Sequence, residues 1–381
     1  MSDPLRVLHL RDSPWVDGPG RTMLETGVHL DPRRVEYHLA AFVTEEQTVH
    51  PLVAAARERN VHAHHVVDRG GFDPQALRQI LDLIERLDID VLHTSDFRSN
   101  LFGWRVRRAG SRVKLVSTAH GWIANTARRR VVRMADKILL SRFDAVIAVS
   151  DATRALLPPW LVSRSRTLVL HNALVLGKYG ADVAAAPRRL PSPSRPIVLA
   201  NVGRLSPEKG QALLLDAVAR VVVDEPRLQL IFAGTGPLEA ALRERARALG
   251  IDARVRFVGF VADMPSLYRD VDLVVQSSFT EGLPNVILEA AFLRVPIVAT
   301  RVGGTAEVIQ HGDSGWLIEP QSLDQLVDGI RAFLADPAKF TAMADAARSR
   351  ILENFSFDVR TERLTQFYER LCARRPSDDA A

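Results

Sequence analysis

Two carboxylates and two cations in the second half of this chain are spaced to hold a ligand rich in hydroxyls and negative charge. The carboxylates are Glu281 and Glu289, in Thr280-Glu281-Gly282-Leu283-Pro284-Asn285-Val286-Ile287-Leu288-Glu289. The run Val271 to Val275 before them reads as a buried strand ending at Gln276-Ser277-Ser278. Gly282 supplies a tight turn, and Pro284 suits the first turn of a helix, where its missing N–H costs nothing. Glu281 then falls in a strand-to-helix loop, with Glu289 about two helical turns beyond it. In an open parallel sheet such a loop lies at the carboxyl ends of the strands, where ligands bind. A carboxylate there accepts hydrogen bonds from sugar or ribose hydroxyls. The bland alternative is a solvated Glu281 and a salt-bridged Glu289.

The cations lie in Val202-Gly203-Arg204-Leu205-Ser206-Pro207-Glu208-Lys209-Gly210, after a strand and before a helix. Gly203 allows close backbone approach, Arg204 can grip phosphate oxygens bidentately, and Lys209 acts as a point charge. Only five lysines occur in the chain, which gives this one weight. The competing reading is a turn whose cations pair with Glu208 or with solvent.

Together these segments resemble the retaining glycosyltransferases of family 4 (glycosyl transferases group 1). The C-terminal half resembles them from Val198 to Asn354, the N-terminal half only at scattered points. The resemblance implies an α/β GT-B fold: two Rossmann-like doubly wound domains facing each other across a cleft. It implies that Arg204 and Lys209 neutralise a departing nucleoside diphosphate, so that no metal is strictly required. It also implies that Glu289 holds the ribose while Glu281 and the backbone of Gly282 and Leu283 hold the sugar, with Pro284 and Asn285 beside them.

Weaker motifs take meaning from that resemblance. Ala233-Gly234-Thr235-Gly236 is a glycine turn between strand and helix that would wall the nucleotide site. Val258-Gly259-Phe260-Val261 ends the next strand, where the family's backbone meets the base; Phe260 could equally be a core aromatic. Asp17-Gly18-Pro19-Gly20-Arg21 precedes a helix, and free N–H groups there would attract an anion, so Gly20 and Arg21 are candidates. Pro19 interrupts the adjacent glycines usual in the family. His120, in Ser117-Thr118-Ala119-His120-Gly121, matches a histidine that contacts the donor sugar. His171-Asn172 resembles a strand-end asparagine without an assigned role. His62, His64 and His65 follow no metal-ligand pattern and read as structural, and Asp88-Ile89-Asp90 reads as a turn at the wrong end of a strand for chemistry.

Length and composition agree with this picture. The chain has 381 residues, 47% hydrophobic and 25% charged, which suits two soluble domains. A net charge of +5 is mild; it permits an acidic ligand without pointing to nucleic acid. One cysteine, Cys372, excludes a disulfide framework and fits a reducing cytoplasm. No signal region precedes Leu5, and no run approaches the length of a membrane span.

Apolar runs alternate with amphipathic ones on both sides of a Pro/Ser/Arg-rich stretch. The expected division is 1–186 as an acceptor-binding domain, 187–196 as linker and 197–355 as the nucleotide-sugar domain. A helix over 356–372 is expected to return to the first domain, ahead of a polar tail over 373–381. Arg128, Arg129, Arg130, Arg133 and Lys137 lie on a helical stretch with apolar neighbours, able to rest on anionic lipid at the inner face of the plasma membrane.

The expected function is transfer of a sugar from a UDP- or GDP-sugar to a carbohydrate or lipid-linked acceptor, as in cell-surface polysaccharide or glycolipid synthesis. A sugar phosphorylase, a nucleotide-sugar epimerase and a non-catalytic sugar-nucleotide binder are the alternatives on the same architecture.

Overall fold

The strands of this protein are nearly continuous apolar runs because both faces of each sheet are covered by helices. The computed structural model describes residues 3–14, 16–47, 49–71, 73–121, 127–179, 191–192 and 194–373, with side chains in the helix from Ala127 described from 131 onward. Internal contacts divide the chain into two units. One runs to Ala173 and resumes at Phe357; the other spans Leu174–Ser356.

In the first unit the order is β1 (Leu5–Arg11), α1 (Gly18–His29), β2 (Val35–Val43), α2 (Pro51–Glu58), β3 (His62–Val67), α3 (Pro74–Arg86), β4 (Val91–Thr94), α4 (Phe97–Arg108), β5 (Lys114–Ala119), α5 (Ala127–Leu140), β6 (Ala145–Ala148), α6 (Asp151–Ala155) and β7 (Thr167–Val169). The second unit continues with β8 (Ile197–Val202), α7 (Gln211–Val221), β9 (Leu228–Ala233), α8 (Glu239–Ala248), β10 (Val255–Gly259), α9 (Met264–Arg269), β11 (Leu273–Gln276), α10 (Asn285–Phe292), β12 (Ile297–Thr300), α11 (Thr305–Val308), β13 (Trp316–Ile318), α12 (Leu323–Ala335) and α13 (Pro337–Asn354). The last helix, α14 (Phe357–Ala373), belongs to the first unit.

Strand order is β3-β2-β1-β4-β5-β6-β7 in one sheet and β10-β9-β8-β11-β12-β13 in the other, with every neighbour parallel. Each is a doubly wound sheet whose order reverses beside its first strand, the switch point at which ligands bind in such folds. The apolar runs predict strands at Val7–Leu10, Tyr37–Val43, Ala63–Val67, Val91–His93, Lys114–Thr118, Ala145–Val149, Thr167–Leu170, Ile197–Asn201, Leu228–Phe232, Val255–Val258, Leu273–Gln276 and Ile297–Ala299, and each holds within two residues at either end. β13, three residues long, is not among them.

Alternation along β1 sends Val7 to one face, with Met23, Leu52 and Leu364, and Leu8 to the other, with Ile80 and Phe102. In the second unit Leu199, Phe232 and Val275 pack under Leu214 and Val218 of α7 and Phe333 of α12. Each such side chain contributes about 1.5–3 kcal/mol on burial. Helix starts are set by side-chain caps: Asp73, Asp96 and Ser322 each accept a backbone N–H.

The boundary between units falls at Leu174, ahead of the expected 187–196 linker. Leu174 N donates to Phe355 O at 2.8 Å, drawing the chain after Ala173 into the second unit. Residues 180–190 and 193, which include half of that linker, lie outside the described residues, as does the tail from 374. α14 adds Leu364, Tyr368 and Leu371 to the first core, and Arg34 holds Glu369 at 2.9 Å and Glu362 at 2.8 Å on its outer face.

A polar layer sits inside the first unit. His9 and His93 are register partners on β1 and β4, and their rings stack 3.9 Å apart. His9 shares hydrogen bonds with Tyr37 Oη (2.6 Å) and Ser95 Oγ (2.5 Å), and His93 with Tyr368 Oη (2.6 Å) and Thr118 Oγ1 (2.8 Å). All four ring nitrogens are satisfied without a carboxylate, so the neutral imidazole is favoured. Burial, with the Arg360 guanidinium nearby, pushes His93 down to about 3, and burial holds His9 well below its usual range.

The folded values lie below the unfolded value near 6.5, so the unfolded chain binds more protons as pH falls. Stability is therefore present above about pH 6.5 and is lost toward the folded values, by about 1.4 kcal/mol per pH unit for each of these two histidines. His64, pushed down to about 4 by burial, adds to this; Asp96, raised to about 6 by burial, offsets part of it. Urea unfolding at pH 7.5 and pH 5 should give a clearly lower midpoint at pH 5, and an unchanged midpoint would contradict the neutral pair.

Candidate active site

In the second unit the loops after β8, β9, β10, β11 and β12 meet at the carboxyl edge of the sheet, and they meet backbone to backbone. Gly203 N donates to Ala233 O (2.9 Å), Gly234 N to Gly259 O (2.7 Å), Phe279 N to Glu208 O (2.7 Å) and Gly304 N to Gly282 O (2.6 Å). Such approach leaves no room for side chains at two points. A Cβ on Gly234 would lie 2.0 Å from Gly203 O, and one on Gly303 would lie 2.2 Å from Glu281 O; φ is +142° and +52° respectively. Glycine is the residue that meets both demands.

This frame brings Lys209 and Glu281 together although 72 residues separate them. Lys209 Nζ lies 2.6 Å from Glu281 Oε1. Ser278 Oγ (2.7 Å) and Gln276 Nε2 (3.1 Å) donate to that same oxygen. Both ends of the ion pair are mostly buried, so screening by water is limited. One ammonium donor is committed to Glu281, and Lys carries three. Lys209 thus pairs with Glu281 and not with Glu208, whose Oε1 instead accepts from Ser206 Oγ at 2.6 Å. For Glu208, burial acts to raise the pKa but is outweighed by that hydrogen bond and the Lys209 and Arg204 charges, and the net shift is downward.

Arg204 is exposed on the same loop, and its carbonyl accepts from Gln211 Nε2 at 2.9 Å. Gly203 and Gly236 flank it on the first two loops, with Leu205 N donating to Thr235 O at 3.0 Å. Pro284 stands at the N-cap of α10, one residue before the helix and not inside its first turn. Leu283 is buried beneath it, Gly282 half-buried, and the Asn285 Oδ1 atom has no hydrogen-bond partner. Glu289 lies in the second turn of α10, half-buried, its Oε2 3.5 Å from the buried Tyr268 hydroxyl. Phe260 is 67% exposed beyond the end of β10, which removes the core-aromatic alternative; Val261 beside it is half-buried.

In the sequence Gln276 and Ser278 read only as a strand end, and Gly303 stands in no motif. The signal was a polar triplet directly after an apolar strand, and a Gly-Gly pair after the next.

In the first unit, Gly20 lies inside α1 and its N–H is taken by Asp17 Oδ1 at 2.9 Å. Asp17 also holds Arg11 at 2.5 Å through Oδ2. A carboxylate of the chain therefore caps this helix start, which corrects the expectation of free N–H groups there. Arg21 is exposed one residue on. His120 is half-buried directly after β5. Burial, then the Arg11 and Arg360 charges and His93, push its pKa down to about 3, so at neutral pH it is an uncharged hydrogen-bonding group. Asp88 and Asp90 bind Arg6, at Nη1 (2.6 Å) and at the backbone N–H (2.8 Å), a structural turn before β4. His64 Nε2 meets His38 Nδ1 at 3.2 Å and His65 Nε2 accepts from His50 N at 3.2 Å. The side chains of Arg128, Arg129 and Arg130 lie outside the described residues.

Comparison with known proteins gives concordant matches over both units. Residues 182–350 match the family model described as "Glycosyl transferases group 1", and residues 16–177 the one described as "Glycosyltransferase Family 4". The chain is 34% identical over 271 residues to a D-inositol 3-phosphate glycosyltransferase of Geodermatophilus obscurus, a match covering 65% of this chain and 59% of that protein. It is 31% identical over 244 residues to the lipopolysaccharide core biosynthesis mannosyltransferase LpsB of Rhizobium meliloti, covering 62% of this chain and 68% of that one. Among solved structures, Anabaena Alr3699/HepE in complex with UDP superposes with a TM-score of 0.81 at 21% identity, over 96% of this chain and 100% of that chain. That likeness identifies the fold as GT-B.

Substituting Gly303→Ala or Gly234→Ala should push the site loops apart and lower unfolding free energy by about 2 kcal/mol or more, from strain at positive φ plus backbone collision. Gly312→Ala, also at positive φ (+80°) but with no neighbour within 4 Å of its added Cβ, should cost less. Chemical denaturation of the three variants checks the ranking.

Proposed function

This chain belongs to the glycosyltransferases of family 4, group 1, and we propose that it moves a sugar from a UDP- or GDP-sugar to a carbohydrate or lipid-linked acceptor with retention at the anomeric carbon. The observation that carries this reading is the Lys209–Glu281 pair at the switch point of the second sheet, with Arg204 on the same loop. Arg204 and the two uncommitted N–H donors of Lys209 meet the diphosphate and stabilise charge as it departs. Glu281 Oε2, which none of its three donors occupies, accepts from a hydroxyl of the sugar. Glu289 accepts from the ribose. His120, uncharged, donates one hydrogen bond to the sugar and adds no positive charge.

In the transfer step the bond from C1 to the phosphate oxygen breaks as the acceptor oxygen bonds C1 on the same face. The acceptor proton passes to the departing phosphate oxygen. Two side-chain cations at the diphosphate make a metal dispensable in this reading. A nucleotide-sugar donor is supported by the complexes of Alr3699/HepE with UDP and UDP-glucose.

A lipid-linked acceptor is supported by the surface of α5. Asp136 and Leu140 bury one face, with Asn100 Nδ2 donating to Asp136 Oδ1 at 2.7 Å. Val131, Met134 and Ile138, spaced i, i+3, i+7, are exposed on another, Val131 at 70%. Lys137 Nζ bonds Leu156 O, which brings α5 beside exposed Leu156, and Trp160 nearby in sequence is 82% exposed. Exposed apolar groups with Arg133 and Lys137 among them suit a surface of anionic lipid. No helix among the described residues is long and apolar enough to cross a membrane.

Donor turnover tests the central reading. With the preferred UDP- or GDP-sugar in the presence of a chelator, Lys209→Ala and Arg204→Ala should each lower kcat/KM by about 10²–10³, and Glu281→Gln should weaken sugar discrimination. NMR of the product's anomeric proton should show the donor's configuration. Wild-type rates in all three variants, or phosphate-dependent release of a sugar phosphate, would move the assignment to another activity. Separately, the chain should sediment with phosphatidylglycerol vesicles more than with phosphatidylcholine ones, and Met134→Asp with Trp160→Ala should abolish the difference.

A further inference from the structure

The outer edge of the first sheet carries three imidazoles on one face. His62 and His64 alternate along β3, so their side chains leave the strand on the same side, and His62 is the register partner of His38 on β2. Along the sequence His62 and His64 make no ligand pattern; the parallel pairing supplies the third imidazole. His65 leaves β3 on the opposite face and accepts from His50 N. His62 opens β3, so the cluster lies toward the amino ends of the strands, away from the edge where ligands bind in such sheets.

The ring nitrogens are spaced as ligands of one ion. His38 Nδ1 and His64 Nε2 lie 3.2 Å apart. Two nitrogens bound at about 2.0–2.1 Å to one tetrahedral ion stand about 3.3 Å apart. His38 is buried, and its Nε2 lies 3.0 Å from Glu36 Oε1. An ionised carboxylate only accepts, so the His38 proton sits on Nε2 and Nδ1 keeps its lone pair. A carboxylate behind an imidazole in this way fixes the ring and raises its basicity toward a metal. Glu36 is held in turn by Arg6, whose Nε lies 3.5 Å from its other oxygen. The exposed His62 ring lies against that of His38, centroids 4.9 Å apart, and has no hydrogen-bond partner among the described residues. A side-chain rotation brings one of its nitrogens to the same point.

The charges around the cluster narrow the choice of ion. Arg6, near His38, and Arg57 and Arg86, near His64, all add positive charge. A hard cation such as Mg²⁺ relies on oxygen ligands and finds few here, whereas a borderline ion such as Zn²⁺ bonds imidazole nitrogen.

We propose that His38, His62 and His64 form a site for a divalent transition-metal ion of the zinc class, with Glu36 holding His38 from behind. The ion ties the edge strand β3 to β2 and takes no part in sugar transfer. On binding, His64 carries its proton on Nδ1.

The test strips the full chain with a chelator, removes the chelator, and titrates it at pH 7.5 with Zn²⁺ and separately with Mg²⁺ by calorimetry. One Zn²⁺ should bind per chain, and Mg²⁺ should not. His62→Ala, at an exposed position, should weaken Zn²⁺ binding, and Glu36→Gln should weaken it about tenfold or more. A His62→Ala/His64→Ala double variant, checked for its fold by circular dichroism, should lose it. Co²⁺ added to the stripped chain should give the visible absorption of a tetrahedral ion, absent in the double variant. No Zn²⁺ uptake by the folded wild-type chain, equal uptake of Mg²⁺, or unchanged Zn²⁺ affinity in His62→Ala or in the double variant would overturn the proposal. None of these readouts involves donor turnover, so the site and the transferase reading stand or fall separately.

Discussion

The second unit is organised by one desolvated charge pair. Glu281 and Lys209 belong to loops on either side of the point where strand order reverses, and their contact at 2.6 Å ties those loops together. Taking an ion pair even partly out of water is costly unless hydrogen bonds to it offset the lost hydration. Ser278 and Gln276 supply such bonds to the carboxylate. The same oxygen takes three donors, which leaves the second carboxylate oxygen and two ammonium protons for a ligand. The pair is therefore both a structural clasp and a polarised site of opposite charges side by side, suited to a molecule with hydroxyls at one end and phosphates at the other.

That clasp needs backbones in contact, and glycine makes contact possible. Where Gly234 meets Gly203 and Gly303 meets Glu281, the carbonyl of one loop occupies the place a side chain would take in the next. The inter-loop N–H···O bonds then make the loops a single frame, so that side chains projecting from it inherit its rigidity. Rigid placement of this kind is what lets a few polar groups discriminate between ligands.

The first unit solves its polar problem differently. Its inner histidines are paired with tyrosine, serine and threonine hydroxyls and kept neutral by burial, and the arginines near them make protonation costlier still. His120 shares that environment. The anion-ready helix start read from Gly20 is already occupied by Asp17. A cavity at the carboxyl ends of β1, β2 and β3 sets Asp12, Glu45, Glu46 and Asp68 against Arg69 and Arg98.

Period and punctuation in the sequence were enough to find the strands, both doubly wound sheets and the loops that carry Arg204, Lys209, Glu281 and Glu289. These follow from local rules: apolar runs become buried strands, and glycine or proline marks the turn into the next helix. What the sequence could not decide is partnership. That Lys209 answers Glu281 and not its neighbour Glu208, and that Gly234 and Gly303 face the carbonyls of Gly203 and Glu281, depend on which loops the parallel crossovers bring to one edge. Those contacts join residues tens of positions apart, so their energies exist only once the sheets have formed.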